Sequence, residues 1–333
     1  MPSTSTVLPL HTVVLGTGGT IAGTASSSTA QTGYTSAQLG VQGLVDAVPA
    51  LTGLPLRLRQ LAQCDSKDMS HALWQLLVRE VASELARDDV GGIVITHGTD
   101  TLEETAYLLQ RVLAPVKPVV LTAAMRPASS VQADGPQNLL DAITLASQPG
   151  ARGALVLLAG EAHAADGVRK VDAWRLAAFS SGDLGPVALV QDGTVLQLRD
   201  WSGGSPLGAS VVDLALADWP RVAWITSHAG FDGALVDAAV AAGFDGLLLA
   251  GTGNGSLHAD LQRAAERAQT AGLTVRLITR CASGRLVGQA AALPWASATG
   301  SAAQARVDLL LTLLQRFSAG GARRTTDPPN RPA

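Results

Sequence analysis

Short apolar runs alternate with helical patterns along most of this 333-residue chain. That alternation is what a parallel α/β sheet requires. Residues 12–15, 54–58, 92–96, 119–123 and 154–159 read as strands. Between them, 39–48, 69–87, 102–112 and 136–145 read as helices, the second through Leu73, Leu76, Leu77, Val81 and Leu85, and the last with Pro136 in its first turn. Residues 185–198 read as a hairpin turning at Asp192-Gly193. Segment 201–220, with Gly203-Gly204-Ser205-Pro206 and Asp218-Trp219-Pro220, breaks the rhythm and reads as a linker. The alternation then resumes, with strands at 222–226, 246–250 and 274–279 and helices at 235–242, 260–271 and 302–317. The expected architecture is two α/β domains with mainly parallel sheets, a larger N-terminal one over 11–200 and a smaller C-terminal one over 221–317. The tails, 1–10 and 318–333, hold little that could pack and are expected to be flexible.

Composition narrows the function. Charged residues make up 15% and the formal net charge is −3, so no basic stripe is available for a nucleic acid. No stretch reaches the length of a membrane span. Residues 1–10 lack a basic n-region and an apolar h-region, so a cytoplasmic protein is expected. Cys64 and Cys281 lie far apart and read as reduced thiols, with Cys64 expected to line a pocket near Ser66. His71, His163, His228 and His258 form no ligand spacing, so neither metal nor cofactor is expected.

Two loops carry the chemistry. Gly16-Thr17-Gly18-Gly19-Thr20 follows the first strand, and His97-Gly98-Thr99-Asp100-Thr101 follows 92–96. The first is not a dinucleotide fingerprint: the sixth position of G-x-G-x-x-G is Ile21, and no acid occupies the ribose position. Loops at the carboxyl ends of parallel strands converge on one crevice, so Thr20, Thr99 and Asp100 can meet although distant in sequence. A threonine is a poor nucleophile until a base takes its proton. Asp100 can hold a lysine ammonium, and a desolvated lysine can serve as that base. The chain has three lysines. Lys117 precedes a strand at the opposite edge, which leaves Lys67 and Lys170, both in polar loop segments. His97 reads as a buried hydrogen-bonder in its turn rather than a base.

These stretches resemble the bacterial L-asparaginase family, in its type II-like branch. The resemblance rests on Gly18-Gly19-Thr20-Ile21-Ala22-Gly23, on Ile95 to Ala106, on Ala124-Met125-Arg126-Pro127 with Ala133-Asp134-Gly135-Pro136, and on Gly253-Asn254-Gly255. It implies a hydrolase that releases ammonia from L-asparagine through a threonine acyl-enzyme, acting as a homotetramer of close dimers. Thr20 matches the primary nucleophile, and Tyr34 the tyrosine beside it on a mobile loop over residues 23–33. Thr99, Asp100 and Lys170 match a second triad, Lys170 through its interval to Phe179. Ser66 and Asp68 match positions that bind the substrate's α-carboxylate and α-amino group, and Asn254 a residue that reaches a neighbouring subunit's site. Backbone N–H groups near Gly19, Gly98 and Thr99 would hold the oxyanion. Lys67 stands where many relatives carry glutamine beside the substrate. Gln289-Ala290-Ala291-Ala292 has no acid where relatives supply a glutamate. Two other readings stay open: a glutaminase-asparaginase that also accepts L-glutamine, and a non-catalytic amino-acid-binding protein on the same scaffold.

Overall fold

The computed structural model describes residues 10–29 and 33–320. These residues form two compact units, the first ending at Ala209 and the second beginning at Ser210. The expected tails lie almost wholly outside the described residues. Among the described residues no helix is long and apolar enough to cross a membrane.

The first unit runs β1 (His11–Gly18), α1 (Val41–Asp46), β2 (Leu56–Cys64), α2 (His71–Leu85), β3 (Val90–Thr96), α3 (Leu102–Leu113), β4 (Pro118–Thr122), α4 (Gly135–Ala146), β5 (Gly153–Leu158), β6 (Glu161–Ala164), β7 (Arg169–Lys170), β8 (Phe179–Ser180), β9 (Ala188–Gln191) and β10 (Thr194–Gln197). Eight strands form one sheet in the order β10-β9-β6-β5-β4-β3-β1-β2. From β2 to β5 all neighbours are parallel. Beyond β5 the sheet continues antiparallel through β6, β9 and β10.

The inner strands read as unbroken apolar runs because helices cover both faces. Val14, Val94, Val120 and Leu155 pack with Val41 and Leu44 of α1 and with Leu139, Ala142 and Ile143 of α4. Alternate side chains of a strand point to opposite faces. Val13, Leu15, Ile93, Ile95, Val119 and Leu121, all buried, therefore face the side where α2 packs on β3 and α3 on β5. Ser70 caps α2 by accepting from Leu73 N, and Lys117 Nζ closes its other end, donating to the carbonyls of Leu85 (2.9 Å) and Arg87 (2.6 Å). The strand that Lys117 precedes is thus an inner one, not an edge, and the lysine is a helix cap.

The second unit runs β11 (Val222–Thr226), α5 (Ala234–Ala241), β12 (Gly246–Gly251), α6 (Ala259–Thr270), β13 (Thr274–Thr279) and α7 (Ala302–Ser318). Its three strands are parallel in sequence order. Leu247, Leu249, Val275 and Leu277 pack with Val236 of α5 and Leu261, Ala264 and Ala268 of α6. On the opposite face Leu248, Ala250 and Ile278 meet Ala305 of α7.

Segment 201–220, expected as a linker, spans the boundary between the two units, and within it Val211, Val212 and Trp219 are buried around the short turns Ala209–Val212 and Leu216–Asp218. The structure departs from the expected elements in three places. Strand β2 runs on to Cys64, beyond the expected 54–58. Strand β6 and the separate β7–β8 hairpin were not expected. Four residues and two residues are too short to show a period of two.

Candidate active site

Four neighbouring parallel strands, β2, β1, β3 and β4, end on one edge of the large sheet. The chain leaves β1 toward β2 on one side and returns to β3 on the other, which opens a crevice at that edge. The loops after these strands line one cleft: Thr20 after β1, Asp65 and Ser66 after β2, Thr99 and Asp100 after β3, and Met125 and Arg126 after β4. Tyr34 closes one side, and Lys170, Ala173 and Trp174 of the β7–β8 hairpin the other. The cleft encloses about 210 Å³.

Both threonines sit in turns that only glycine permits. Gly19 has φ 83° and ψ −174°, a region closed to residues with a Cβ. A Cβ there would also stand 2.4 Å from Gly98 N. At Gly98 a Cβ would stand 2.4 Å from Ser66 Oγ. The two Gly-Thr loops therefore touch backbone to backbone, which sets Thr20 and Thr99 on the same cleft. Ser66 fixes the third loop to the second: its Oγ accepts from Asp100 N at 3.1 Å, and Thr101 Oγ1 donates to its carbonyl at 2.7 Å. The fourth loop is held by Asp134, whose carboxylate accepts from the N–H groups of Met125 and Arg126, both at 3.0 Å.

Each threonine hydroxyl is bonded to one ionisable side chain. Thr20 Oγ1 lies 2.6 Å from Tyr34 Oη. Tyr34 is carried there by a bridge in which Thr24 and Thr35 exchange two backbone bonds of 2.9 Å. The contact expected from loop closure is thus present, although residues 30–32 of the expected lid lie outside the described residues. Lys170 Nζ donates to Thr99 Oγ1 and to Asp100 Oδ1, each at 2.8 Å. Lys170 belongs to strand β7 rather than to a loop.

His97 is buried in the second turn, with both ring nitrogens hydrogen-bonded. Its Nδ1 meets Gly98 O at 2.7 Å, and its Nε2 meets Thr105 Oγ1 at 3.1 Å, while Trp74 Nε1 donates to the same hydroxyl at 3.0 Å. These bonds are all satisfied when Nδ1 holds the proton, donating to Gly98 O, and Thr105 donates to Nε2. Burial lowers the imidazole pKa to about 4, consistent with a neutral ring. Thr105→Val removes the acceptor of the indole and the donor to the ring at once. It is expected to cost about 1–3 kcal/mol for each group left bare, read as a lower urea midpoint at unchanged slope.

Several expected residues fall elsewhere. Lys67 and Asp68 pair with each other at 2.5 Å on the surface, with 61% and 69% of their side chains exposed, and neither lines the cleft. The acid that does is Asp65, which also caps the turn Ser66–Asp68 by accepting from Lys67 N. Cys64 is not among the cleft residues; burial raises its pKa further. Gly19 N–H is bonded to Cys64 O at 2.9 Å, so it is not a free oxyanion donor. Asn254 belongs to the second unit, where its side chain exchanges two bonds with the Val287 backbone, 3.0 and 2.9 Å long. Asp65, Met125, Arg126, Ala173 and Trp174 join the site without having been assigned a role. Asp65 was signalled only by its place next to Ser66.

Residues 11–202 match the family model described as asparaginase, N-terminal, and residues 221–322 match the glutaminase/asparaginase C-terminal domain. The chain belongs to the asparaginase family. L-asparaginase 2 of Bacillus subtilis (strain 168) is 36% identical over 277 residues, 81% of this chain and 73% of that one. L-asparaginase 2 of Escherichia coli (strain K12) is 36% identical over 252 residues, 74% and 70% of the two chains. The solved structure of a "Probable Cytoplasmic L-asparaginase from Campylobacter jejuni" superposes with a TM-score of 0.85 at 32% identity, covering 94% of this chain and 99% of that one. This asparaginase-family chain shares with that neighbour its division into two α/β units.

Proposed function

We propose that this chain is an L-asparaginase that hydrolyses the side-chain amide of L-asparagine to L-aspartate and ammonia. The observation that carries the reading is the pair of threonines on one small cleft, each bonded to a different proton-handling group. The names of its relatives agree with it.

In this reading Thr20 Oγ attacks the amide carbon while its proton passes toward Tyr34, 2.6 Å away. The C–N bond breaks and the nitrogen leaves as ammonia, having gained the proton that Tyr34 gives up as it takes that of Thr20. Water then attacks the resulting ester, the C–O bond to Thr20 breaks, and aspartate and the free hydroxyl are restored. Lys170, acting through Thr99, takes a proton from the attacking water and returns it to the Thr20 oxygen as the ester breaks. Asp100 fixes the lysine for that exchange. With Gly19 N–H occupied, the oxyanion falls to the N–H groups of Thr20 and Thr99. Asp65 is the cleft carboxylate left for the substrate ammonium, since Asp100 is paired with Lys170. The family resemblance adds a homotetramer of close dimers, and the Campylobacter neighbour's description supports a cytoplasmic location.

Ammonia release measured side by side on L-asparagine, D-asparagine and L-glutamine tests the reading. L-asparagine is expected to be turned over fastest, and Thr20→Ala to lose at least about 10³-fold of kcat. No ammonia from any of the three amides, or full activity in Thr20→Ala, would sink it. Calorimetric binding of L-aspartate without turnover of L-asparagine would favour an amino-acid-binding protein instead.

A further inference from the structure

The β7–β8 hairpin stands outside the two larger sheets as a sheet of its own, made of the rungs Arg169–Ser180 and Lys170–Phe179. Two rungs are marginal by themselves. Val171 N adds a bond to Ala178 O, and Asp172 ties the tip by accepting from Trp174 N and Arg175 N, but these hold the hairpin only to itself. Yet Lys170 has to reach Thr99 and Asp100 to within hydrogen-bond distance from this separate element.

One contact joins the lysine's backbone to the loop it acts on. Glu103 Oε2 accepts from Lys170 N–H at 2.7 Å. Glu103 occupies the first turn of α3, three residues after Asp100. The same turn-and-helix start therefore receives Lys170 at three points: side chain to Thr99, side chain to Asp100 and backbone to Glu103. Glu103 does not line the cleft. We propose that Glu103 is a positioning residue, whose carboxyl fixes the Lys170 backbone so that the lysine side chain meets Thr99 without the carboxyl itself touching substrate. The proposal rests on the reading of Lys170 as the proton-handling group.

The hold depends on charge. Burial pushes the Glu103 carboxyl up to about 7, helped by Glu104 beside it on α3 and opposed by the Lys170 N–H, Arg169 and the Lys170 side chain on the hairpin. Below that pH the group is neutral, and above it anionic. An ionised acceptor forms a hydrogen bond about twice as strong, so the grip on Lys170 tightens as pH rises through neutrality.

Three variants test this by steady-state ammonia release. Misplacing a reacting group by about 1 Å costs about 10²-fold, so Glu103→Ala is expected to lose about 10²-fold of kcat with KM within about threefold of wild type. Glu103→Gln keeps an acceptor of the same length and is expected to recover most of that loss. It should also lack the rise in kcat near pH 7 expected of wild type, because its grip does not titrate. Glu103→Asp, which keeps the charge and draws the acceptor back by one methylene, is expected to fall between Ala and Gln. It keeps the proposal testable even where Glu103→Ala does not fold. Wild-type kcat in Glu103→Ala or Glu103→Asp, or equal damage in Ala and Gln, would overturn the proposal, as would an unchanged pH profile in Glu103→Gln. Lys170→Met assayed alongside separates the two levels. Normal turnover there defeats the reading of the lysine, whereas an inactive Lys170→Met beside a normal Glu103→Ala defeats only the positioning role.

Discussion

Lys170→Met is expected to abolish most of the turnover while leaving the fold in place. A positioned acid–base group contributes about 10²–10⁴-fold, and a loss of kcat in that range is the expected result on L-asparagine. Methionine keeps the length of the stem and removes the one group that donates to both Thr99 and Asp100. The structural cost is small. The side chains of Lys170 and Asp100 are 23% and 52% exposed, and a solvated pair of that kind is worth about 0–1 kcal/mol. The backbone contact to Glu103 also survives the change. Thermal unfolding should therefore move little, and L-aspartate should still bind by calorimetry. A variant with wild-type kcat would remove the lysine from the mechanism.

Gly19→Ala is expected to damage stability and activity together. The conformation at φ 83° and ψ −174° costs a residue with a Cβ about 1–3 kcal/mol. Space is lacking as well: the new methyl would lie 2.4 Å from Gly98 N, 2.5 Å from Gly98 Cα and 2.6 Å from the His97 carbonyl carbon. All three are backbone atoms, so no side chain can turn aside, and the two loops have to part. A total near the top of the single-mutation range, about 3–5 kcal/mol, is expected. Gly53→Ala is the control. Its φ is 81°, with nothing within 4 Å of the added carbon, so it carries the strain without the collision. Denaturant midpoints should fall markedly further for Gly19→Ala than for Gly53→Ala, and kcat should fall only for the former. Equal midpoints would mean that the two loops do not press on each other.

Strands β1, β3, β4, β5 and β12 were legible because they are buried on both faces, so hydrophobicity alone marks them. All three strands of the second unit begin where their apolar runs begin. The two Gly-Thr loops were legible for a related reason: a glycine-containing loop that follows a buried strand has few places to go. What remained hidden depends on tertiary contact. β7 and β8 have two residues each and gain their pairing only from each other. Lys67 and Lys170 could not be told apart by sequence position, and the folded chain separates them by giving Lys67 to Asp68 on the surface and Lys170 to Thr99 in the cleft. Asp65 and Asp68 flank one turn, and the register of that turn decides which carboxylate faces inward. Glu103 reads as an ordinary acidic first-turn residue until the hairpin from 67 positions later rests on it.

The separate hairpin also has a bearing on how such a chain could diversify. Ala173 and Trp174 at its tip form part of the cleft wall, yet the strands beside them belong to no larger ladder. Lengthening a surface loop costs little, about 0.6 kcal/mol for each doubling. Insertions between Asp172 and Ala178 would reshape the mouth of the cleft while the Glu103 contact keeps the lysine where it is. The scaffold thus separates the part that must not move from a part that can be rewritten, and new amide substrates are most cheaply reached through the tip of the hairpin.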